Sequence, residues 1–426
     1  MTAETSRPRQ AGRARLGRLV VDIRPLRVLA YRRLWSSTVV TAIGGQLTAV
    51  AVPKQVYDLT KSSAYVGLAG AVALAPLLVF GIWGGAIADA FDRRRLLLVT
   101  NSAIAAISAL LWLQAALGAG SVAVLLILLG LQQAFFAVNM PTRGASIARL
   151  IPAELLPSAN ALGSTVQTFG AVLGPMLAGA LIPVLGLPML YLIDALGLLG
   201  ALWAVWRLPP LPPLGERPAR AGLRDVVDGF RYLATQRVLL TSFAVDVAAM
   251  IFGMPRALFP EMAERSFHDP AGGGTALGWL FAGIPAGALL CGLLSGWLSR
   301  VSRHGVAVTL AVCGWGLAIA GFGLSGSLWL AVVFLALAGA ADMVSMIFRN
   351  AMLQSAATDE MRGRMQGVYT VVVAGGPRLA DTVHGTVGAA LGTTAAVSGG
   401  GVLVIVVVLA TVTALPAFWR YRAPTA

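Results

Sequence analysis

Five ionisable residues stand inside long apolar stretches of this chain: Asp246, Arg256, Asp342, Arg378 and Asp381. A charge surrounded by hydrocarbon is costly, and is kept where it carries a proton or holds a charged ligand. Asp246 and Asp342 have no obvious neighbour along their own segments. A carboxylate in a low-dielectric cavity can take a proton from one side and release it on the other. These two, with Asp381, are the candidates for proton coupling. Arg256 and Arg378 are candidates for contact with an anionic or polar small molecule, and a buried salt bridge among the set is the competing explanation. Arg378, Asp381 and His384 follow at i, i+3 and i+6, close to one helix face, where Arg378 and Asp381 could neutralise each other. Gln132 and Gln167 either line a cavity or join helices by hydrogen bonds. Asp194, beside Tyr191, either bonds locally or takes part in the same chemistry. Lys54 is expected to snorkel outward.

The elements that position these groups follow from composition. The chain is 57% hydrophobic and 12% charged, against about 25% charged in soluble domains. Its mean hydropathy is +0.79. So little charge cannot cover a surface in water, so the lipid bilayer is the main solvent. About twelve apolar runs are each long enough to cross a hydrocarbon core of about 30 Å. The net charge of +14 sits in the N-terminal tail and in every second loop: Arg93 to Arg95, Arg143 to Arg149, Arg207 to Arg237, Arg300 with Arg303, Arg349 to Arg364, and Arg420 with Arg422. The intervening loops carry little positive charge beyond Lys61 and Arg265. That alternation is the positive-inside pattern. It predicts an even number of spans with both termini in the cytoplasm, and makes nucleic-acid binding the weaker reading of the basic balance. The expected boundaries are a basic tail over 1–25, a six-helix bundle over 26–207, a connecting loop over 208–236, a second six-helix bundle over 237–419 and a short tail over 420–426.

The two bundles repeat. One constant offset separates Arg143 from Arg349, Glu154 from Glu360, Gly170 from Gly376 and Gly179 from Gly385. Two facing bundles of this kind make a central cavity that opens to either side by rocking. No Gly-x-x-x-x-Gly-Lys-Ser/Thr loop is present for ATP. His268, His304 and His384 lack metal-ligand spacing, and Cys291 and Cys313 read as buried structural thiols. No enzyme, metal or cofactor is indicated; the expected energy source is an ion gradient, with protons first.

Two motifs sharpen this. The loop Gly85-Ala86-Ile87-Ala88-Asp89-Ala90-Phe91-Asp92-Arg93-Arg94-Arg95 resembles the signature loop of the major facilitator superfamily, Gly-x-x-x-Asp-Arg-x-Gly-Arg-Arg. The match is at Gly85, Asp89, Arg93 and Arg94, and the departures are at Ala90 and Asp92. In this reading Gly85 allows a neighbouring helix to come close, Asp89 accepts from a helix N-terminus or pairs with an arginine, Arg143 being the candidate, in a seam closed toward the cytoplasm, and Arg349 repeats the part of Arg143 or anchors lipid phosphate. The run Gly170-Ala171-Val172-Leu173-Gly174-Pro175-Met176-Leu177-Ala178-Gly179 is similar to the helix-five motif of drug/proton antiporters, with Gly170, Gly174, Pro175 and Gly179 letting that helix pack on the other bundle. Ala51-Val52-Pro53-Lys54-Gln55-Val56, the segment Arg256 to Glu264, Met352-Leu353-Gln354 and Gly363-Arg364-Met365-Gln366-Gly367 are similar to the enterobactin exporter type.

The resemblance implies an all-α major facilitator fold in the inner membrane and proton-coupled export of a siderophore-like or amphipathic drug-like molecule, with a monomer as the default state. A macrolide or multidrug pump, a proton-coupled nutrient importer and a non-transporting receptor or scaffold are the alternatives.

Overall fold

The computed structural model describes residues 22–213, 223–270, 272–356 and 359–422. The basic tail up to residue 21 and residues 214–222 of the connecting segment lie outside it, as do the side chains of Glu360 and Arg364. The described residues are helical, with no strand among them. In hydrocarbon a backbone finds no water, so each apolar run closes its hydrogen bonds within itself.

The first half contains α1 (Leu29–Thr60), α2 (Ser63–Ala90), α3 (Arg93–Ala116), α4 (Val122–Leu150) and α5 (Leu156–Trp206). The connecting helix α6 (Leu223–Thr235) follows. The second half contains α7 (Arg237–Gly253), α8 (Thr275–Leu293), α9 (His304–Gly323), α10 (Leu328–Ala356), α11 (Asp359–Leu391) and α12 (Thr393–Ala414). Ten helices among the described residues are long and apolar enough to cross a bilayer. Two features account for the difference from the expected number of runs. Helix α11 carries Arg378 and Asp381, which lower its apolar character. Helix α5 joins two runs in one.

The break in α5 is at Gly186, with φ 74° and ψ 165°, a region open essentially to glycine alone. Pro183 and Pro188 flank it. The contacts of α1 show that the chain reverses there. Tyr31 donates to the Ala159 carbonyl and Trp35 to that of Leu162, while further along Gly174 approaches Gln46. In the second arm the order inverts: Gln55 meets Tyr191, Thr48 meets Asp194, and Val40 meets Gly197. Helix α1 is therefore clasped between two antiparallel arms.

The halves touch along two seams, α2 against α11 and α5 against α8. Each is a glycine crossing. A Cβ on Gly179 would lie 2.6 Å from the Gly274 carbonyl oxygen and 2.8 Å from Cα of Gly278. A Cβ on Gly67 would lie 2.7 Å from the Asp381 carbonyl oxygen and 3.0 Å from Cα of Gly385. Gly179 and Gly385 are repeat-related, so the seams are pseudo-symmetric. Small residues let two backbones come this close. Both crossings lie away from the end of the bundle that carries Arg93 to Arg95, Arg143 and Arg207, the basic end.

Candidate functional site

A cavity of about 380 Å³ lies between the halves on the basic side of the crossings. Gln46 and Thr48 of α1, Gly70 of α2, Gln132 and Gln133 of α4, Ala171 and Pro175 of α5, Phe281 and Pro285 of α8, and Arg378 and Asp381 of α11 line it, with Arg256. A second chamber of about 250 Å³ shares Gln46, Gln132 and Arg378 with the first and extends to Thr41, Asn139, Arg143 and Gln167. Its far wall leads on to Tyr31, Asn160 and Ser164 near the basic end. The cavity is thus stopped at one end by the glycine crossings and continues toward the other.

Arg256 and Arg378 both face this space, as do Gln132 and Gln167. Asp381 interacts with the charges of Arg378 and Arg256, but no direct ion pair joins it to either among the described residues. Two guanidinium groups and one carboxylate leave a cationic wall. His384 does not join them: its ring lies against Gly400 of α12, and its side chain is buried. The expected common face of Arg378, Asp381 and His384 is therefore split between cavity and core.

Asp246 and Asp342 share one partner, which for Asp246 comes from another helix and for Asp342 from its own. Arg349 of α10 pairs with Asp246 of α7, and its Nη2 lies 3.6 Å from Oδ1 of Asp342, two turns earlier on the same face of α10. The Asp246 side chain is 4% exposed and that of Asp342 42%. One carboxylate is thus an internal anchor and the other an accessible group on the same guanidinium. Arg349 acts here as a side-chain partner within the second half, not as a bare lipid anchor.

In the first half, Arg143 is 9% exposed. Its Nη1 donates to Thr41 Oγ1 at 3.1 Å and its Nη2 to Asn139 Oδ1 at 3.4 Å. Asn139 in turn donates to Thr100 and Asn101 of α3. The expected pair with Asp89 does not form in this conformation. Asp89 instead bonds Arg93, one turn on, at 3.1 Å.

The signature loop holds the connecting segment. Asp92 caps α3 by accepting from the Arg95 N–H at 3.0 Å, and its other oxygen accepts from the Leu211 N–H at 3.0 Å. The Arg93 N–H donates to the Leu211 carbonyl, Arg93 Nη1 and Arg149 Nη1 donate to that of Pro212, and Arg94 donates to that of Trp206. The departure from the family at Asp92 thus has a local purpose. The close approach expected of Gly85 belongs to Gly84, where a Cβ would lie 2.8 Å from the Ala137 carbonyl of α4; nothing lies near Gly85. In the α5 motif, Gly179 alone faces the other half, with Pro175 presenting its carbonyl to Gly278. Gly170 and Gly174 pack on Ala42 and Gln46 of α1.

At the end away from the basic loops, an ion pair and a hydrogen bond join the halves. Lys61 Nζ lies 2.7 Å from Glu264 and Ser63 donates to Glu261, whose carboxylate is held from within the second half by Arg265 Nη1 at 2.7 Å. Lys54 does not snorkel: its side chain is 8% exposed and its Nζ lies 2.8 Å from Asp58. The partners that cross between helices, Lys61 with Glu264 and Ser63 with Glu261, like Thr48 and Ser108 on Asp194, are marked by no pattern in the sequence. Lys54 with Asp58, Arg265 with Glu261 and Arg93 with Asp89, each at i, i+4, were within reach of spacing.

The sequence pattern of the transmembrane secretion effector family matches residues 21–422. The chain is 31% identical over 389 residues to the enterobactin exporter of Shigella boydii serotype 18, covering 89% of this chain and 91% of that one. It is 30% identical over 383 residues to that of Shigella flexneri, covering 89% and 90%. Among solved structures it is similar to a bacterial homologue of the human lysosomal transporter Spinster, with TM-score 0.70, 17% identity, and 93% and 97% of the two chains covered. It is also similar to a POT family transporter in complex with 5-aminolevulinic acid, with TM-score 0.70, 15% identity, and 93% and 96% covered.

Proposed function

Because the chain belongs to the transmembrane secretion effector family of the major facilitator superfamily, a family of secondary transporters, we propose that it exports a siderophore-like anionic molecule in exchange for protons by alternating access. The observation that carries this reading is the cavity itself, with a cationic wall of Arg256 and Arg378, stopped at one end by the crossings at Gly179 and Gly67. The positive-inside pattern assigns the basic end to the cytoplasm. Splitting α5 at Gly186 and adding α11 to the ten apolar helices gives an even number of crossings, which supports placing both termini there. The structure then corresponds to a state that receives cargo from the cytoplasm of the inner membrane.

Arg256 and Arg378 can hold deprotonated oxygens, with bidentate geometry available to each guanidinium. Gln46, Gln132 and Gln167 supply neutral hydrogen bonds, and Phe281 and the prolines supply apolar contact. On the second half, Arg349 can neutralise Asp246 while Asp342 gains or loses a proton, so one guanidinium serves two charge states without leaving its anchor. Asp381 faces the cargo more directly and would exchange its proton as an anionic cargo neutralises the nearby charges of Arg378 and Arg256. The cationic wall favours an anionic cargo over a cationic drug.

Everted membrane vesicles test the reading. Enterobactin should accumulate when a proton gradient is imposed and stop when the gradient is collapsed. Arg256→Ala and Arg378→Ala should each raise the enterobactin KM at least tenfold, and Asp342→Asn should lower gradient-driven accumulation by a similar factor. Enterobactin movement that ignores the gradient, or normal transport in Asp246→Asn and Asp342→Asn together, would overturn the coupling assignment.

A further inference from the structure

We propose that Asp194 is a proton-exchange site of the first half, read by the cargo through Gln132 and Ser108. This rests on the exporter reading above.

Asp194 lies on the second arm of α5 and is 3% exposed. Two hydroxyl groups from two other helices converge on one of its oxygens. Thr48 Oγ1 of α1 donates to Oδ2 at 2.9 Å, and Ser108 Oγ of α3 donates to the same atom at 2.8 Å. The other oxygen, Oδ1, turns toward Gly44 of α1 and occupies the space that a Cβ there would fill. Glycine at position 44 is thus what makes room for the carboxyl group.

No cation answers this group. The ion pairs among the described residues do not include it. The neighbours are Gly44 and Thr48 on α1, Ser108 on α3 and Gln132 behind it on α4. Tyr191, one turn earlier on the same arm, spends its hydroxyl on Gln55 at 2.8 Å. The charged groups on the same cavity wall are Arg143 of α4, engaged with Thr41 and Asn139, and Arg378 of α11. An ionised carboxylate this deeply buried at the wall of the second chamber, held by two neutral donors, is costly. Binding a proton on Oδ1 removes that cost while Oδ2 keeps both hydroxyl bonds.

The link to the cargo is a chain of donors. Gln132 Nε2 donates to Ser108 Oγ at 3.3 Å, and Ser108 donates to Asp194. Gln132 also lines both chambers of the cavity. A cargo that takes the Gln132 amide withdraws it from Ser108 and resets the donors on Asp194. The proton on Oδ1 then passes to cavity water on the cytoplasmic side, and one from the outer side replaces it after the cavity reopens there. No other co-reactant is needed.

The full-length protein in proteoliposomes, with enterobactin as the probe, tests this. Enterobactin addition should release protons to a pH-indicator dye, and Asp194→Asn should release measurably fewer. In the same variant, gradient-driven uptake should fall at least tenfold and the remaining uptake should no longer respond to collapse of the gradient. Ser108→Ala keeps the carboxyl group but should move the pH midpoint of uptake, which a purely structural Asp194 would not do. Infrared difference spectra should show a carboxylic-acid band that changes on enterobactin addition and is missing in Asp194→Asn. Unchanged proton release and gradient response in Asp194→Asn would overturn the proposal, as would the absence of that band in the wild type. If Asp194→Asn does not fold, the wild-type band and the Ser108→Ala midpoint decide. Failure of the exporter reading looks different: wild-type protein would then not move enterobactin at all, whereas the carboxylic-acid band would still titrate.

Discussion

Arg349 pairs with the carboxylate of Asp246 where its repeat counterpart, Arg143, meets the hydroxyl of Thr41 and the amide oxygen of Asn139. The two arginines stand at the same place in the two halves, each reaching from the fourth helix of its half to the first. The duplication has kept the cation and changed its partner. The second half therefore carries a titratable pair where the first carries a neutral tie.

Stability should reflect that difference. Arg349→Ala leaves Asp246 buried without its partner, and breaking a buried pair costs about 3–5 kcal/mol. Arg143→Ala loses hydrogen bonds from a charged group to neutral ones, worth about 1.5–3 kcal/mol. Thermal unfolding in detergent should place Arg349→Ala clearly below Arg143→Ala. The reverse order would mean that the Arg349 pair contributes little.

The glycine crossings should control which side of the cavity is closed. At Gly179 and Gly385 even a single added Cβ would lie only 2.5 to 2.8 Å from the facing backbone, so Gly179→Val and Gly385→Val force the helices apart. With Cys291 and Cys313 replaced, a cysteine at Ala69, which is 5% exposed, should resist a membrane-impermeant maleimide added outside. In either valine variant it should react. Continued protection would show that the crossings do not form the seal.

The Lys61–Glu264 ion pair beyond the crossings should act as a latch rather than a brace. Lys61 and Glu264 are 53% and 33% exposed, and exposed pairs contribute about 0–1 kcal/mol. Lys61→Glu should change the melting temperature little yet raise outer-side labelling at Ala69→Cys. Adding Glu264→Lys should restore protection, because the pair is re-formed with its charges exchanged. High salt should reproduce the single variant in part.

Asp92 should matter more to stability than Asp89, although Asp89 is the residue that the family motif emphasises. Asp92 satisfies the Arg95 and Leu211 amides, and loss of a cap costs about 1 kcal/mol. Asp89 is 40% exposed and makes one ion pair. Asp92→Ala should lower the melting temperature, and Asp89→Ala should leave it nearly unchanged while slowing transport.

The start of the described chain should come loose only in strong acid. Hydrogen bonds from Arg24, with help from the Ser158 hydroxyl and the Arg24 amide, hold the Asp22 carboxyl well below the usual carboxylate range. A group whose value is depressed on folding stabilises above its unfolded value and loses that contribution as pH falls through the folded one. Hydrogen exchange at the Arg24 amide should therefore stay slow through mildly acid pH and accelerate below it. In Asp22→Asn it should be fast throughout.

The helical, lipid-embedded character of the fold was legible because hydropathy acts over whole segments. The seams were legible in part. The repeat pointed to Gly179 and Gly385 together, and both proved to be crossing points, but which glycine of Gly84 and Gly85 touches α4 depends on the rotation of α2, which spacing does not fix. Asp246 and Asp342 were visible as charges in apolar runs. Their shared partner was not, since Arg349 reads equally well as a loop cation. The Thr48, Ser108 and Gly44 shell around Asp194 was hidden for a different reason: hydroxyls and glycines are common in membrane helices, and only their convergence from α1 and α3 gives them meaning.

The reversal at Gly186 bears on how the cavity can change shape. With α1 clasped by both arms of α5, neither can slide along the other without breaking contacts on two sides at once. Under the proposed alternating access, a motion that keeps Gln46 at Gly174 and Thr48 at Asp194 swings the first half as one body, and would carry the proposed cargo contacts and proton site together.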